Sequence, residues 1–444
     1  MYPEPEAGSG HSRNRRKIPT GSPGSRHMTS AANHSRRLAA PLIAGLVLLA
    51  ACSNGDGQQD DSTGSDRPDD TVAPAPPVTV DQIESTPRTV SMSGLDMARG
   101  LATVEGPTPL VPLNEIISGG PPPDGIPPIE TPRFLETDQV DFLADNEPVM
   151  AVEIDGDARA YPIQILMWHE IVNDTVGGVP VSVTYCPLCN SAVAYDRRLD
   201  DLVLDFGTSG MLWNSALVMY DRQTETLWSH FTGQAIVGEL TGQQLDTFPV
   251  GMVPWGRWRD AHPDGLVLSR QTGYDRDYGR NPYPGYDAVD SDPFLFEGEV
   301  DGHFTAMTRI VGILRDGEAL AVPLFQLREE RVVEHELAGE PLVVFWEPGT
   351  ASALDSHSII DGEDIGATGV FIPEADGRSL TFDPGGEGFV DDQTGSTWDL
   401  LGHAVAGPLE GERLTRVEHL DTFWFAWAAF QPRSALTSEA NSSS

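Results

Sequence analysis

Lysine is almost missing from this sequence, and cysteine is scarce. Lys17 is the only lysine in 444 residues, and the sequence has three cysteines, Cys52, Cys186 and Cys189. Acidic residues outnumber basic ones by 67 to 28, which gives a formal net charge of −39. A surface this acidic repels phosphate groups, so the sequence predicts no nucleic-acid partner.

Long apolar runs are also absent, since the run over residues 38–51 is too short to span a membrane comfortably. Arg36 and Arg37 precede this run, as in the charged start of a signal peptide. Leu49-Ala50-Ala51-Cys52 then matches the lipobox of bacterial lipoproteins, in which the cysteine sulfur receives the lipid. The sequence therefore predicts an exported protein, tethered through Cys52 to the outer face of the cell membrane or within the periplasm or cell envelope.

Composition and length suggest how the chain is divided. With 444 residues the chain is long enough for two domains, and its acidic stretch after Cys52 has too few apolar residues to form a core. The predicted parts are a spurious or disordered extension (1–27), the lipoprotein signal peptide (28–51), the lipidated cysteine with a flexible acidic tether (52–90), a first folded unit (91–290), a second, degenerate unit (291–435) and a disordered tail (436–444).

The folded region contains two stretches that resemble each other. Residues 149–163 read VMAVEIDGDARAYPI, and residues 310–324, which lie 161 positions later, read IVGILRDGEALAVPL. The likeness continues between residues 220–245 and 390–414. So many matches in the same order predict an internal duplication of one unit.

Each unit is predicted to be α+β and rich in strands. Residues 149–162 form two apolar runs around an Asp-Gly pair, which is typical of a hairpin. Residues 163–173 fit a short amphipathic helix, and the alternation at 181–185 predicts a buried strand that leads to Cys186. The Tyr, Pro, Gly and Asp residues of 274–300 predict an irregular crossing between the units.

The second copy serves as an internal control for function. Positions shared by both copies favour a role in the fold, whereas polar residues lost from the second copy are candidates for chemistry. The residues replaced in this way, with their second-copy counterparts in parentheses, are Arg159 (Leu320), His169 (Glu330), Cys186 (Glu347), Cys189 (Thr350), Arg222 (Asp392) and His230 (Leu400). The candidate catalytic residues are Cys186, Cys189, Arg159, His169, Glu170 and Arg222.

The Cys-x-x-Cys motif at 186–189 has three interpretations. It is a redox-active dithiol, half of a metal site, or a structural disulfide in an oxidising compartment. For the metal interpretation, His169 and His230 would complete a set with Cys186 and Cys189 that suits copper or zinc. In the redox interpretation, Cys186 follows the strand and would be the more exposed, attacking thiol.

The remaining motifs say less about function. His169-Glu170-Ile171-Val172-Asn173 lacks the second histidine of the zinc-protease pattern, so that class is rejected. Arg159, Arg222 and Glu170 are expected to form an ion-pair network around the site or to bind an anion. The sequence has no phosphate-binding loop, dinucleotide fingerprint or serine nucleophile elbow.

The motifs RAYPIQILMWHEIVND, GGVPVSVTYCPLCNSAVAYDR and NPYPGYD closely resemble the family catalogued as domain of unknown function 3179. The resemblance covers roughly residues 95–430 and implies an exported protein without implying a particular activity. It marks as motif positions Arg159, His169, Glu170, Asn173, Asp174, Cys186, Cys189 and Arg222.

Two hypotheses of different classes follow. In the first, an extracytoplasmic lipoprotein carries a metal-binding or thiol-redox site at Cys186 and Cys189, with His169 nearby. In the second, a non-catalytic envelope protein binds a glycan, peptide or protein, and its Cys-x-x-Cys is a structural disulfide. The residues leave open whether the protein is an enzyme, which substrate or metal it takes, and its oligomeric state.

Overall fold

Short apolar runs broken by glycine, proline and aspartate favour short strands, and strands dominate the structure. The computed structural model describes residues 107–386 and 388–437. The predicted extension, signal peptide, Cys52 and tether lie outside these residues. Within the described part, no helix is long and apolar enough to cross a membrane.

We divide the described residues into a first half (107–268), a crossing segment (269–308) and a second half (309–437). The strands of the first half are β1 (Ile116–Ser118), β2 (Phe134–Glu136), β3 (Pro148–Ile154), β4 (Asp157–Pro162), β5 (Ile171–Val176), β6 (Val179–Cys186), β7 (Ser191–Asp196), β8 (Arg198–Leu199), β9 (Leu202–Val203), β10 (Phe206–Trp213), β11 (Ala216–Asp221), β12 (Leu227–Ser229), β13 (Ala235–Val237), β14 (Thr247–Phe248), β15 (Gly251–Pro254) and β16 (Leu266–Leu268). Its helices are α1 (Ile163–His169) and α2 (Trp255–Ala261), with 3₁₀ turns at Leu113–Glu115 and Thr137–Gln139.

The strands of the second half are β17 (Arg309–Arg315), β18 (Glu318–Pro323), β19 (Val332–Leu337), β20 (Glu340–Glu347), β21 (Ala367–Ile372), β22 (Glu374–Ala375), β23 (Arg378–Ser379), β24 (Phe382–Pro384), β25 (Phe389–Asp391), β26 (Thr397–Trp398), β27 (Ala404–Ala406), β28 (Thr415–Arg416), β29 (Leu420–Phe423) and β30 (Ala435–Leu436). Its helices are α3 (Leu324–Glu330) and α4 (Trp424–Phe430), with a 3₁₀ turn at Ile359–Asp361.

The four α-helices of the described residues are all seven residues long, about two turns, and such helices are not stable in isolation. Three of them start directly after a proline, Pro162, Pro254 or Pro323, whose fixed φ suits the start of a helix. Tertiary packing must therefore hold these helices in place.

The sheets of the two halves have matching strand orders. In the first half the orders are β14-β7-β6-β5, β15-β3-β4-β16-β2 and β1-β10-β11-β12-β13. In the second half they are β28-β21-β20-β19, β29-β17-β18-β30 and β24-β25-β26-β27. Neighbouring strands are antiparallel apart from β16 on β4 and β30 on β18, which are parallel.

The two largest hydrophobic clusters are shared between the halves, and two smaller clusters lie within one half each. One cluster joins first-half residues with second-half residues, among them Val149, Trp255, Trp258, Phe345, Phe371 and Trp398. A second cluster also contains residues of both halves. It joins Phe423 and Trp427 of the second half with first-half residues that include Tyr185, Cys186, Cys189 and Trp228. The two cysteines therefore lie in a core built by both halves.

Several sequence predictions are confirmed. The strand-rich character is observed, residues 149–162 form the β3–β4 hairpin, and β6 leads to Cys186. The crossing segment has neither helix nor strand among its described residues. The helix predicted over 163–173 is too long, because Glu170 has a φ of 59° that ends α1, and β5 then begins at Ile171.

Candidate functional site

Both cysteines of the Cys-x-x-Cys motif lie at the turn between β6 and β7. Cys186 is the last residue of β6 and pairs in register with Ser191, the first residue of β7. Asn190 closes the turn with a φ of 50°, and its N–H donates to the Pro187 carbonyl over 3.3 Å. This short turn holds both thiols, which are free and buried, at one end of the sheet.

Burial contradicts one expectation about these thiols. Cys186 is 1% exposed and Cys189 is fully buried, so Cys186 does not lie at the surface, where it could attack a partner directly. Strand β6 ends at Cys186, the first residue of the motif, as predicted. The end of this strand and the turn that follows lie inside the protein rather than at its surface.

The two thiols nevertheless differ in acidity. Burial opposes ionisation of Cys186, but hydrogen bonds from the Cys189 thiol and from the backbone N–H groups of Cys189, Leu217 and Leu188 lower its pKa. Burial and the neighbouring Cys186 raise the pKa of Cys189 well above its ordinary value. Cys186 is therefore the more acidic thiol of the pair, and the Cys189 thiol is its hydrogen-bond donor.

A polar chain leads away from Cys189. Its Sγ lies 3.0 Å from Ser191 Oγ, which lies 3.4 Å from His230 Nδ1. Burial lowers the pKa of His230 to about 3, so the imidazole is neutral and its protonation is disfavoured. Within the described part of the chain, His230 Nε2 has no hydrogen-bond partner.

Glu170 stands on the other side of Cys186. Its backbone carbonyl accepts a hydrogen bond from the Tyr185 N–H over 2.8 Å, which ties the end of α1 to β6. Burial, and then the negative charge of Cys186, raise the pKa of the Glu170 carboxyl well above its ordinary value. The surroundings of Glu170 therefore favour the neutral, protonated form of its carboxyl group.

The crossing segment and the second half cover the turn. Tyr286 Oη donates to the Leu188 carbonyl over 2.8 Å, and Thr422 Oγ1 donates to the Cys189 carbonyl over 2.7 Å. Burial raises the pKa of Tyr283, with further contributions from Glu170 and Cys186, so its phenol lies beside both groups. Tyr283 is only partly buried and packs against the hydrophobic cluster that contains Cys186.

The predicted four-residue metal set does not form. His169 Nδ1 lies 2.7 Å from the Pro127 carbonyl, and Nε2 lies 2.6 Å from Tyr278 Oη, so both ring nitrogens are engaged elsewhere. Burial lowers the pKa of His169 to about 4. Over residues 107–386 and 388–437, no three His, Cys, Asp or Glu side chains are grouped to hold a metal ion.

Arg159, Arg222 and Glu170 do not form the single ion-pair network that the sequence predicts, and the alternative that they bind an anion stays a prediction. Arg159 pairs with Asp157 and Asp174. Arg222 pairs instead with Asp124 and Glu130, which fastens the segment before β2 to β11. These are two separate sets, and neither arginine pairs with Glu170 in the described residues. We assign Arg159 and Arg222 to the fold.

Sequence reasoning missed three residues of the site, Ser191, Tyr283 and Thr422. Ser191 follows the motif by two residues and begins a buried strand, which was a usable local signal. Tyr283 belongs to the NPYPGYD motif, but its contact with the turn spans about a hundred residues of sequence. Thr422 lies in the second half, so no local pattern connects it with Cys189.

The fold and site define a strand-rich α+β protein with a dithiol turn buried between two similar halves. A family model described as "Protein of unknown function (DUF3179)" matches residues 123–434, and the chain belongs to this family. No curated protein and no solved structure matches the chain.

Proposed function

We propose that this protein is an extracytoplasmic lipoprotein whose first half carries a dithiol redox site formed by Cys186 and Cys189. The observation that carries the proposal is the β6–β7 turn itself. It places two free thiols together and connects Cys189 through Ser191 to a neutral, buried histidine, His230. Two adjacent thiols of unequal acidity suit thiol–disulfide exchange.

The exchange reduces a disulfide of a partner molecule. The Cys186 thiolate attacks one sulfur of that disulfide, and the other sulfur leaves as a thiolate. The sulfur of Cys189 then attacks Cys186 Sγ and releases the second partner sulfur, which takes the proton that the Cys189 thiol gives up. The dithiol is oxidised to a disulfide, and the partner disulfide gains two electrons.

Burial implies that this exchange requires movement. The thiolate is covered by Tyr283 and Tyr286 of the crossing segment, which is fastened to the second half. The Asn281 N–H donates to the His357 carbonyl over 2.9 Å, and the Tyr286 N–H donates to the Leu354 carbonyl over 3.2 Å. A partner disulfide reaches Cys186 when the crossing segment moves aside.

The donor set favours redox chemistry over metal binding. Zinc sites in proteins commonly have three or four protein ligands, and here only the two thiols share one turn, because His169 is engaged with Pro127 and Tyr278. The rival binding-module hypothesis gains no comparable observation, because a structural disulfide does not need a serine and a histidine beside one of its sulfurs.

The export proposal rests on residues 28–52. The basic residues, the short apolar run and the lipobox occur in the order that a lipoprotein signal requires. A lipid on Cys52 would anchor the protein to a membrane outside the cytoplasm, where partner proteins carry disulfides.

The proposed duplication is supported by matching structural details. Asp155-Gly156 and Asp316-Gly317 form the turns of the β3–β4 and β17–β18 hairpins, each with positive φ at both residues. The strand orders of the two halves match, including the parallel pairs. The second half keeps this framework with Glu347 in place of Cys186, so the redox site belongs to the first half alone.

The decisive experiment follows the thiols of the full chain through redox buffers. The protein is equilibrated with dithiothreitol and its oxidised form, alkylated and analysed by mass spectrometry. We expect Cys186 and Cys189 to convert reversibly between dithiol and disulfide in the folded protein. A disulfide that resists reduction until the protein unfolds would contradict a redox role and favour the structural one.

Single variants test the roles of the two thiols. With oxidised glutathione, Cys189→Ser should trap a mixed disulfide on Cys186, whereas Cys186→Ser should trap little on Cys189. Ser191→Ala should slow closure of the Cys186–Cys189 disulfide, and the control Ser379→Ala, on the exposed β22–β23 hairpin, should not. Equal trapping on both cysteines would contradict the assigned roles.

A further inference from the structure

Arg416 is an unusual residue in so acidic a protein. It lies on β28, and its guanidinium carbon is 5.8 Å from the centroid of the Phe371 ring. Although the sequence has 67 acidic residues, no carboxylate in the described part of the chain forms an ion pair with this guanidinium. Burial lowers the pKa of Arg416, while Asp399, Glu153 and Asp421 lie near enough to oppose that shift.

The fold leaves room for this guanidinium. A Cβ added at Gly251 on β15 would lie 3.1 Å from Arg416 Nη1, closer than nearly all contacts of real Cβ atoms. With a larger residue at 251, the guanidinium would have to shift by a few tenths of an ångström. The glycine and the arginine come from different halves, so the arrangement depends on the packing of the halves against each other.

Arg416 lines a pocket of about 320 Å³ together with other basic side chains. Arg413, His262 and His403 also line it, and Trp258, Leu401 and Leu414 provide apolar walls. Arg413 is already paired, since its Nη1 lies 2.9 Å from Glu153 Oε1. Burial lowers the pKa of His262, so this ring contributes hydrogen bonding rather than charge at neutral pH.

A second pocket shows that the basic lining is a specific feature. β14 pairs with β7 as β28 pairs with β21, and Thr247 stands opposite Tyr195 as Arg416 stands opposite Phe371. Thr247 lines a pocket of about 570 Å³ with Gln244 and Gln431, and no arginine is among its lining residues. The matching strand orders thus produce two comparable pockets, of which the one at Arg416 has arginines in its lining.

We propose that the Arg416 pocket binds a small monoanionic carboxylate with an apolar body. The planar guanidinium matches a carboxylate in a bidentate geometry, and the apolar walls suit a hydrocarbon or aromatic body. Only one cation in the pocket lacks a carboxylate partner, and Glu153 and Asp155 also line it, so a single negative charge fits better than a dianion. This site shares no lining residue with the dithiol turn and does not depend on the redox proposal.

Calorimetric titration of the full chain with benzoate tests the site, with inorganic phosphate as a second probe. We expect saturable binding of benzoate, with phosphate weaker. Arg416→Gln should weaken benzoate binding roughly tenfold or more, because it removes a charged hydrogen-bond donor pair. Arg378→Gln, at an exposed arginine of the β22–β23 hairpin, should leave binding unchanged.

Gly251→Ala provides a variant that keeps every charge. It should also weaken benzoate binding, because the new methyl group displaces the Arg416 guanidinium, while circular dichroism confirms that the variant is folded. Absence of saturable benzoate binding by the folded wild type would overturn the proposal. So would tighter binding of phosphate than of benzoate, or benzoate affinity that is unchanged in both folded variants.

Discussion

At the scale of single residues, two aspartates make nearly the same hydrogen bonds, but their pKa values are shifted in opposite directions. Asp221 accepts hydrogen bonds from the Thr224 N–H and from Trp228 Nε1, and Asp391 does so from the Thr394 N–H and Trp398 Nε1. Burial dominates at Asp221 and raises its pKa. At Asp391 burial acts in the same direction, but hydrogen bonds from Trp398, Thr394 and Ser396 outweigh it and lower the pKa.

Replacing each aspartate by asparagine should reveal these opposite shifts. The raised pKa of Asp221 gives a stability contribution that is full below the unfolded pKa, about 3.9, and declines as pH rises above it. The lowered pKa of Asp391 gives a contribution that is present above about pH 4 and is lost as pH falls. Asp221→Asn should therefore lower the free energy of unfolding less at pH 7 than at pH 3.5. Asp391→Asn should lower it more at pH 7 than at pH 3.5.

Urea denaturation at several pH values measures the free energy of unfolding of the wild type and of each variant. Each variant is compared with the wild type at the same pH, so the shared effect of the protein's high net charge cancels. The two differences should change in opposite directions between pH 3.5 and 7. A parallel pH dependence would show that the two carboxyls have the same kind of shift.

Residues also show how far the sequence could predict the site. Cys186 and Cys189 were found because they are rare and lie side by side in the sequence. The roles of the two histidines could not be distinguished from sequence, since His169 faces Pro127 and Tyr278 while His230 faces Ser191. These partners lie 39 to 109 positions away along the chain, and local patterns carry no information about such contacts.

At the scale of elements, the hairpins depend on their turns. Asp155 and Gly156 have φ of 51° and 83°, and Asp316 and Gly317 have φ of 48° and 82°. Positive φ at both central residues is the signature of a type I′ turn, and Asp-Gly favours it. This local rule explains why the sequence predicted the β3–β4 hairpin.

Gly156→Ala and Gly317→Ala should each destabilise the protein by about 1 kcal/mol. A Cβ at either position would meet no atom within 4 Å, so the cost comes from backbone conformation alone. Gly302→Ala is the matched control, because that glycine has open surroundings without positive φ. Thermal unfolding of all three variants checks the prediction, and equal melting temperatures would contradict it.

The end of α1 was harder to predict from sequence. The apolar spacing over 163–173 continues past His169 because β5 is also apolar, so periodicity alone favours a longer helix. Glu170 ends the helix with a φ of 59°, and Arg331 ends α3 in the same way with a φ of 62°. A charged residue in this conformation is disfavoured locally, and tertiary packing maintains it.

At the scale of the whole molecule, each half completes the core of the other. Trp255 and Trp258 of the first half pack in one cluster with Phe345 and Phe371 of the second. Trp427 of the second half packs in the cluster that contains Cys186. Sequence comparison indicated two similar units, but it could not show this exchange, because similar units can also fold as separate domains.

The shared cores predict that the described part of the protein unfolds in one cooperative transition. Neither half can lose its structure without exposing apolar surface of the other. Tryptophan fluorescence and far-ultraviolet circular dichroism should therefore give coincident urea curves. Two separated transitions would show that the halves are independent domains.

A core substitution in the second half makes this test sharper. Phe345 is fully buried and stacks on Phe389 with ring centroids 4.0 Å apart, so Phe345→Ala should cost about 3–5 kcal/mol. Because the core is shared, the whole unfolding transition should move to a lower urea concentration. The fluorescence of the first-half tryptophans should follow the same shift. Val405→Ala, at an exposed position of β27, should move it little. If Phe345→Ala moved only one part of a divided transition, shared packing would not couple the two halves.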